Sequence, residues 1–392
     1  MAPPSDANDV DHAVELIVLD EPGSAADDRG ASASGEIIPL LTQPERPRIN
    51  IFSVSHSRRK PREPVVVTET EISPFMHFIF WVWNGSRYSG LLCMAVSSTI
   101  YFVMEVVSDI FTAQSVPLFE TAFIRCTIIL VLSYLWLRRN GQPIIGATHP
   151  RKILVLRAVV GYLSLSSFLY CIQRLPLSQA IVLSFTAPIM ASIMARIILH
   201  EKLKIADIGG LACSFFGLLF IFKQMLTTQG GFHKAGEASD MNVNKNNHIY
   251  AVLVGLFSSI AGGINYCLIK AAAKASDQPV ITVLSFGVLA SPAAGICTLA
   301  FEEFVLPAFY SFFLMLLLGA LSFFAEVFLA RGLQLEKTSK VSNVQYVEVA
   351  LSQLWGMGMS SIAPSFGRLV GCLLIVISIC STIYSGPDKE IE

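Results

Sequence analysis

The residues in this chain best equipped for chemistry are charged and amide side chains embedded in long apolar runs. Glu105 and Asp109 lie four apart in SSTIYFVMEVVSDIF, and Arg125 sits near the end of FETAFIRC. Asn343, Gln345, Tyr346, Glu348, Ser352 and Gln353 crowd the run SNVQYVEVALSQLWG. A charge placed in hydrocarbon costs a few kcal/mol, so such residues face a partner or a watery path rather than lipid. Glu105 and Asp109 share one helix face. At 1.5 Å per residue, Glu105 and Arg125 reach a similar depth, roughly 11 Å below the same membrane surface. Two readings follow. Either the two form an ion pair that pins their helices together, or Arg125 stays partly free and offers its planar fork to an anion. Gln345, Glu348 and Ser352 fall on one helical stripe, with Tyr346 and Gln353 beside it. That stripe either lines a translocation path, or Glu348 is neutralised by a partner or a proton.

Other polar groups are sparser. Asn265 and Tyr266 stand beside Gly262 and Gly263 in SSIAGGINYC. Tyr162 shares its run with Ser166, Ser167 and Tyr170, where core packing and ligand contact are equally open. Glu326 is expected to pair with Arg331 or Lys337, and Arg196 to reach toward the headgroups. Enzyme chemistry finds little support. The seven histidines all lie outside the deep apolar runs, and there is no HxxxxD, DDxxD or P-loop pattern. The eight cysteines form no CxxC and each lies in an apolar run, so buried thiols are expected rather than disulfides or a metal site. No cofactor is expected.

The elements that must position these groups are membrane helices. The chain has 392 residues, 53% hydrophobic and 15% charged, well below the charge content of a soluble domain. Its net charge of −1 and lack of nucleic-acid motifs leave no case for a nucleic-acid partner. Ten apolar runs of about membrane length recur near 89–112, 117–138, 152–173, 178–199, 205–223, 249–269, 279–300, 310–331, 341–362 and 367–385. With the N-terminus inside, the inner loops carry eleven Lys and Arg residues and the outer loops five. That bias puts both termini in the cytosol. Residues 1–74 read as a disordered cytosolic tail without a signal peptide, and 75–87 as an interfacial segment. Residues 224–248 form an extracytosolic linker and 386–392 a short cytosolic tail. In the N-terminal tail, EIIPLL (Glu36, Leu40, Leu41) fits the acidic dileucine pattern read by clathrin adaptors. If used, it would direct the protein to an endosomal or vacuolar membrane; the plasma membrane is the other main expectation, ahead of Golgi or ER.

The fourth and fifth runs, Leu177 to Phe222, organise the rest. Pro188 sits mid-helix among Ser184, Thr186, Ala187, Ala191 and Ser192, where a freed carbonyl needs a neighbouring helix or a cavity. Gly209, Gly210, Ser214 and Gly217 approach the small-xxx-small spacing of tightly packed membrane helices. A shift of 161 residues lays Gly210 on Gly371, Gln345 on Ser184 and Glu348 on Ala187. Ten crossings then divide five and five, and an odd number per half inverts the second copy.

The run SQAIVLSFTAPIMASIMARIILHEKL followed by IADIGGLACSFFGLLFI resembles the end of the first repeat of EamA-type proteins in the drug/metabolite transporter superfamily. It is most similar to the G branch of solute carrier family 35. Ala180, Pro188, Glu201, Gly209 and Gly210 fall in order, and FETAFIRC resembles the family's second-helix signature. The likeness extends more loosely from Tyr88 to Tyr384. In the second copy Val349 replaces Pro188 and Ile362 replaces Glu201.

The resemblance implies an all-α integral membrane fold with ten transmembrane helices as a 5+5 inverted repeat. The repeats would occupy 88–223 and 249–385, with the fourth and ninth spans lining a central cavity. The expected function is secondary transport of a small polar organic metabolite, an anion favoured, by alternating access. A nucleotide-sugar antiporter and a non-transporting scaffold are the alternatives. The expected path residues are Glu105, Arg125, Tyr162, Ser184, Thr186, Asn265, Tyr266, Gln345, Tyr346 and Glu348. Pro188, Glu201, Gly209 and Gly210 are expected to act in structure and gating.

Overall fold

Proline and a long apolar register set where the helices begin. Pro117 and Pro176 immediately precede two of them and Pro279 opens a third, where a missing N–H costs nothing. The computed structural model describes residues 81–83, 88–112, 117–142, 151–231, 241–302, 309–359 and 366–386. Glu36, Leu40 and Leu41, most of the 75–87 segment and the middle of the 224–248 linker lie outside the described residues.

The described residues form twelve helices and no strand. In chain order they are α1 (Ser89–Thr112), α2 (Leu118–Arg139), α3 (Arg151–Arg174), α4 (Leu177–Ser184), α5 (Ala187–Ile198) and α6 (Ile205–Gly231). There follow α7 (Met241–Ser276), α8 (Pro279–Phe301), α9 (Phe309–Leu335), α10 (Thr338–Val344), α11 (Val347–Met359) and α12 (Phe366–Tyr384). Among the described residues, nine segments are long and apolar enough to cross a membrane. The expected crossing at 341–362 is not among them; like the span across α4 and α5, it is divided, into α10 and α11. Helices α6 and α7 also run further into the expected linker than the apolar pattern suggested, to Gly231 and from Met241.

Two spans are broken near their middles. Helices α4 and α5 meet at Phe185 and Thr186, and α10 and α11 meet at Gln345 and Tyr346. At each break the N–H bonds tighten to three-residue spacing: Thr186 to the Leu183 carbonyl, and Tyr346 to the Asn343 carbonyl. The first break has a local cause, since Pro188 cannot donate to the Ser184 carbonyl. The second has no proline.

The long helices pair across the sequence halves. Helix α1 packs on α9, α3 on α7, α2 on α8 and α6 on α12. Likewise α5 packs on α7, and α11 on α1. Exchanging the halves maps this set of pairs onto itself, as a two-fold inverted repeat requires. The halves interdigitate rather than standing side by side. The α6–α12 crossing is the tightest. A side-chain carbon added at Gly217 would come 2.7 Å from the Gly371 carbonyl oxygen, and one at Gly371 would come 2.5 Å from that of Gly217. Only glycine permits that approach. Beside it, Asn343 of α10 donates to Ser378 and Thr382 of α12 and accepts from Ser214 of α6. This fully buried knot holds three helices in register.

Candidate functional site

A cavity of about 200 Å³ lies between α2, α3, the α4–α5 break, α7, α8 and α9. One stripe of α3 supplies Arg157, Gly161, Ser164 and Phe168 to its wall, at the spacing of successive helical turns. Helix α7 runs alongside and supplies Ser258, Ser259 and Asn265. Ser184 and Ala187 enter from either side of the break, Arg125 from α2, Phe286 from α8 and Glu326 from α9.

The charged end is built around Arg157. Its side chain is 1% exposed, and Nη2 donates to Glu326 Oε2 at 3.0 Å. The guanidinium also lies over the Phe286 ring, 4.6 Å from its centroid. Tyr101 of α1 donates to the other oxygen of Glu326 at 3.3 Å. Thus one edge of the guanidinium is fixed by a carboxylate and one face by an aromatic shelf. Its Nε and Nη1 are buried and have no hydrogen-bond partner. Arg125, on the same cavity wall, makes no hydrogen bond or ion pair with any described residue. Two guanidinium groups and one carboxylate thus line the cavity wall, with Glu348 acting on Arg125 from nearby.

Of the ten expected path residues, the cavity wall collects Arg125, Ser184 and Asn265. Glu105 is exposed, and it and Arg125 both act electrostatically on the half-buried Glu348. Tyr162 points toward α8 and donates to the Cys297 sulfur at 3.0 Å. Thr186 donates to the Leu183 carbonyl within the break. Tyr266 donates to Gln345 Oε1 at 2.7 Å. Tyr346 is buried and donates to the Phe185 carbonyl at 2.7 Å, so a tyrosine from one break completes the backbone of the other.

The expected gating residues divide as well. Pro188 occupies the first turn of α5. The Glu201 carboxylate pairs with Lys270 of α7 and accepts from the Thr338 N–H and hydroxyl at the start of α10. Gly210 lies close to Asn343 and Ser378, whereas nothing approaches Gly209. The expected pairing of Glu326 with Arg331 or Lys337 is replaced by the Arg157 pair, and Arg331 instead bonds Gln334 and covers Trp83. Arg157 is the residue the sequence reading passed over. It stands six residues after Arg151, close enough to be taken for part of the basic flank, but those six residues carry it about 9 Å into the span.

The fold and this buried, charged cavity define a polytopic helical membrane protein built to hold a small polar molecule inside the bilayer. Residues 88–223 match the EamA-like transporter family. Among curated proteins, the chain is 24% identical to mouse solute carrier family 35 member G1, covering 75% of this chain and 76% of that one. It is 26% identical to the pseudopaline exporter CntI of Pseudomonas aeruginosa, over 74% of this chain and 94% of the exporter. It is 24% identical to a riboflavin transporter of Rhizobium johnstonii, over 73% and 88%. A solved crystal structure aligns over 77% of this chain and 100% of its own with a TM-score of 0.63 at 16% identity, a likeness of fold alone. These relatives are named as a solute carrier, an exporter and a transporter.

Proposed function

We propose that this protein is a secondary transporter of a small organic anion. The observation that carries the reading is Arg157, whose Nε and Nη1 remain unpartnered in a buried cavity while Glu326 and Phe286 hold the group still. A guanidinium fixed in this way offers its remaining donors to an anion as charge-assisted hydrogen bonds, and its orientation is set before the ligand arrives. Arg125 supplies a second positive charge, and Glu348 beside it belongs to the same path.

Transport proceeds by alternating access around this midplane site. The broken spans at Pro188 and Tyr346 supply flexible joints, and Glu201 closes one face through Lys270 and Thr338. Both termini lie in the cytosol, and the dileucine motif of the tail recruits a clathrin adaptor that takes the protein to an endosomal or vacuolar membrane. The nucleotide-sugar reading is weaker, because 200 Å³ is the volume of about seven waters and falls below that of ordinary drug-sized pockets.

The test is uptake into proteoliposomes of labelled organic anions, organic cations and nucleotide sugars, with wild type and Arg157→Gln. Anion uptake should fall about ten- to hundred-fold in the variant, the worth of charge-assisted hydrogen bonds. Equal anion uptake by the two proteins would overturn the site. No flux of any solute would favour the scaffold reading.

A further inference from the structure

The far end of the cavity is built differently from the charged end. Ser164 Oγ donates to the Ser258 carbonyl at 2.9 Å, and Ser258 Oγ donates back to the Ser164 carbonyl at 2.8 Å. Ser259 Oγ donates to the Leu183 carbonyl at the break. A carbonyl oxygen can only accept, so each of these hydroxyls has committed its single proton to the backbone. All three serines line the cavity, and what they turn toward it is lone pairs. Asn265, between the two ends, adds a buried Oδ1 with no donor. The three serines therefore offer acceptors to the cavity, beside the Asn265 amide and the Ser184 hydroxyl, which can both donate and accept.

The two ends are separated along the helices. Arg157 and Ser164 are seven residues apart on α3, about 10 Å of rise. Phe168 and Leu165 supply the apolar lining around the serine end.

We propose that the substrate, besides the anionic group held by Arg157, carries a hydrogen-bond donor on its opposite end, with Ser164, Ser258 and Ser259 as the residues that select it. The chemical class is an ω-hydroxy or ω-amino carboxylate rather than a plain aliphatic acid. A plain acid would leave the serine lone pairs facing hydrocarbon, and burying an acceptor without a donor is costly. An acid with its donor next to the carboxylate would place that donor at the wrong end. This inference rests on the anion reading above and adds the second contact point.

The experiment is competition for uptake in proteoliposomes with the full chain, using pentanoate, 2-hydroxypentanoate, 5-hydroxypentanoate and 5-aminopentanoate. The ω-substituted acids should compete about ten-fold better than pentanoate, the worth of one good hydrogen bond against an unmet acceptor. The 2-hydroxy isomer should resemble pentanoate. In Ser164→Ala and Ser258→Ala, each made separately, the ratio of ω-hydroxy to plain acid should shrink toward one. The ratio is read within each variant, so a lower protein yield does not affect it. Equal competition by pentanoate and its ω-hydroxy form, or a better 2-hydroxy isomer, would overturn the proposal while leaving the anion reading intact. If none of the four acids competes in wild type while another class of solute is moved, both readings fail together.

Discussion

At the scale of single residues, the Arg157–Glu326 pair has both a structural and a functional share, and the two can be separated. A buried ion pair contributes little net stability against well-packed apolar replacements, but removing one partner strands the other charge. Glu326→Gln leaves a guanidinium that is 1% exposed without its carboxylate. We expect it to cost about 3 kcal/mol, read as a lower unfolding temperature in detergent. The double variant Arg157→Met with Glu326→Leu should recover to within about 1 kcal/mol of wild type and still transport nothing. A double variant as unstable as the single one would make the pair a structural strut instead. Part of the cavity wall was legible in the sequence, since Arg125, Ser184 and Asn265 stood out as polar groups in apolar runs. Arg157 did not stand out, because the basic flank ahead of it masked it. Its partner was hidden for another reason: Glu326 lies 169 residues away, and only the α3–α9 proximity within the fold brings the two together.

At the scale of elements, the two breaks show where sequence stops being informative. The first is written locally. Pro188 withholds an N–H, Thr186 supplies its own hydroxyl to the Leu183 carbonyl, and the small residues around them leave room. The second break has Val349 where the first has Pro188, so no local residue withholds an N–H there. Its stabilisation comes from other elements: Tyr266 of α7 holds the Gln345 side chain, and the Phe185 carbonyl takes the Tyr346 hydroxyl. The freed carbonyl of one break is thus the partner that fixes the other, so the two joints are coupled. Tyr346→Phe keeps the ring beside Phe185, at 5.9 Å between centroids, and removes only the donor. We expect a loss of about 1–2 kcal/mol, the cost of one unmet buried acceptor. Backbone amides around both breaks, 183–190 and 343–350, should exchange faster by mass spectrometry. Faster exchange at one break alone would show that the joints are independent.

At the scale of the whole molecule, two carboxylates bind the sequence halves together, one at each face of the bundle. Glu201, after α5, caps the start of α10 and pairs with Lys270, whose Nζ also donates to the Glu336 carbonyl. Glu302, after α8, accepts from the Phe119 and Glu120 N–H groups at the start of α2 and from Gln173 at the end of α3. Each carboxylate comes from one half and caps a helix of the other, where the positive end of the helix dipole favours it. Successive crossings place these two clusters on opposite faces. The latches differ in strength, because Glu201 and Lys270 are both buried while Glu302 is half-exposed and Gln173 exposed. Opening the cavity toward either face must part whichever cluster closes it, so loss of one carboxylate should shift the population toward the state open on that side. Cys126 lines the cavity and reports on this directly. With Cys126 as the sole cysteine, Glu201→Gln should raise its labelling by a membrane-impermeant thiol reagent applied from the Glu201 face, and Glu302→Gln should raise it from the other. The first effect should be the larger, since it releases a buried ion pair as well as a helix cap, and a shift of about 1.4 kcal/mol multiplies the open population ten-fold. Unchanged labelling from both faces in both variants would mean that the clusters brace the bundle without gating it. Labelling that rises from the wrong face would mean that the order of crossings is not the one the helices imply.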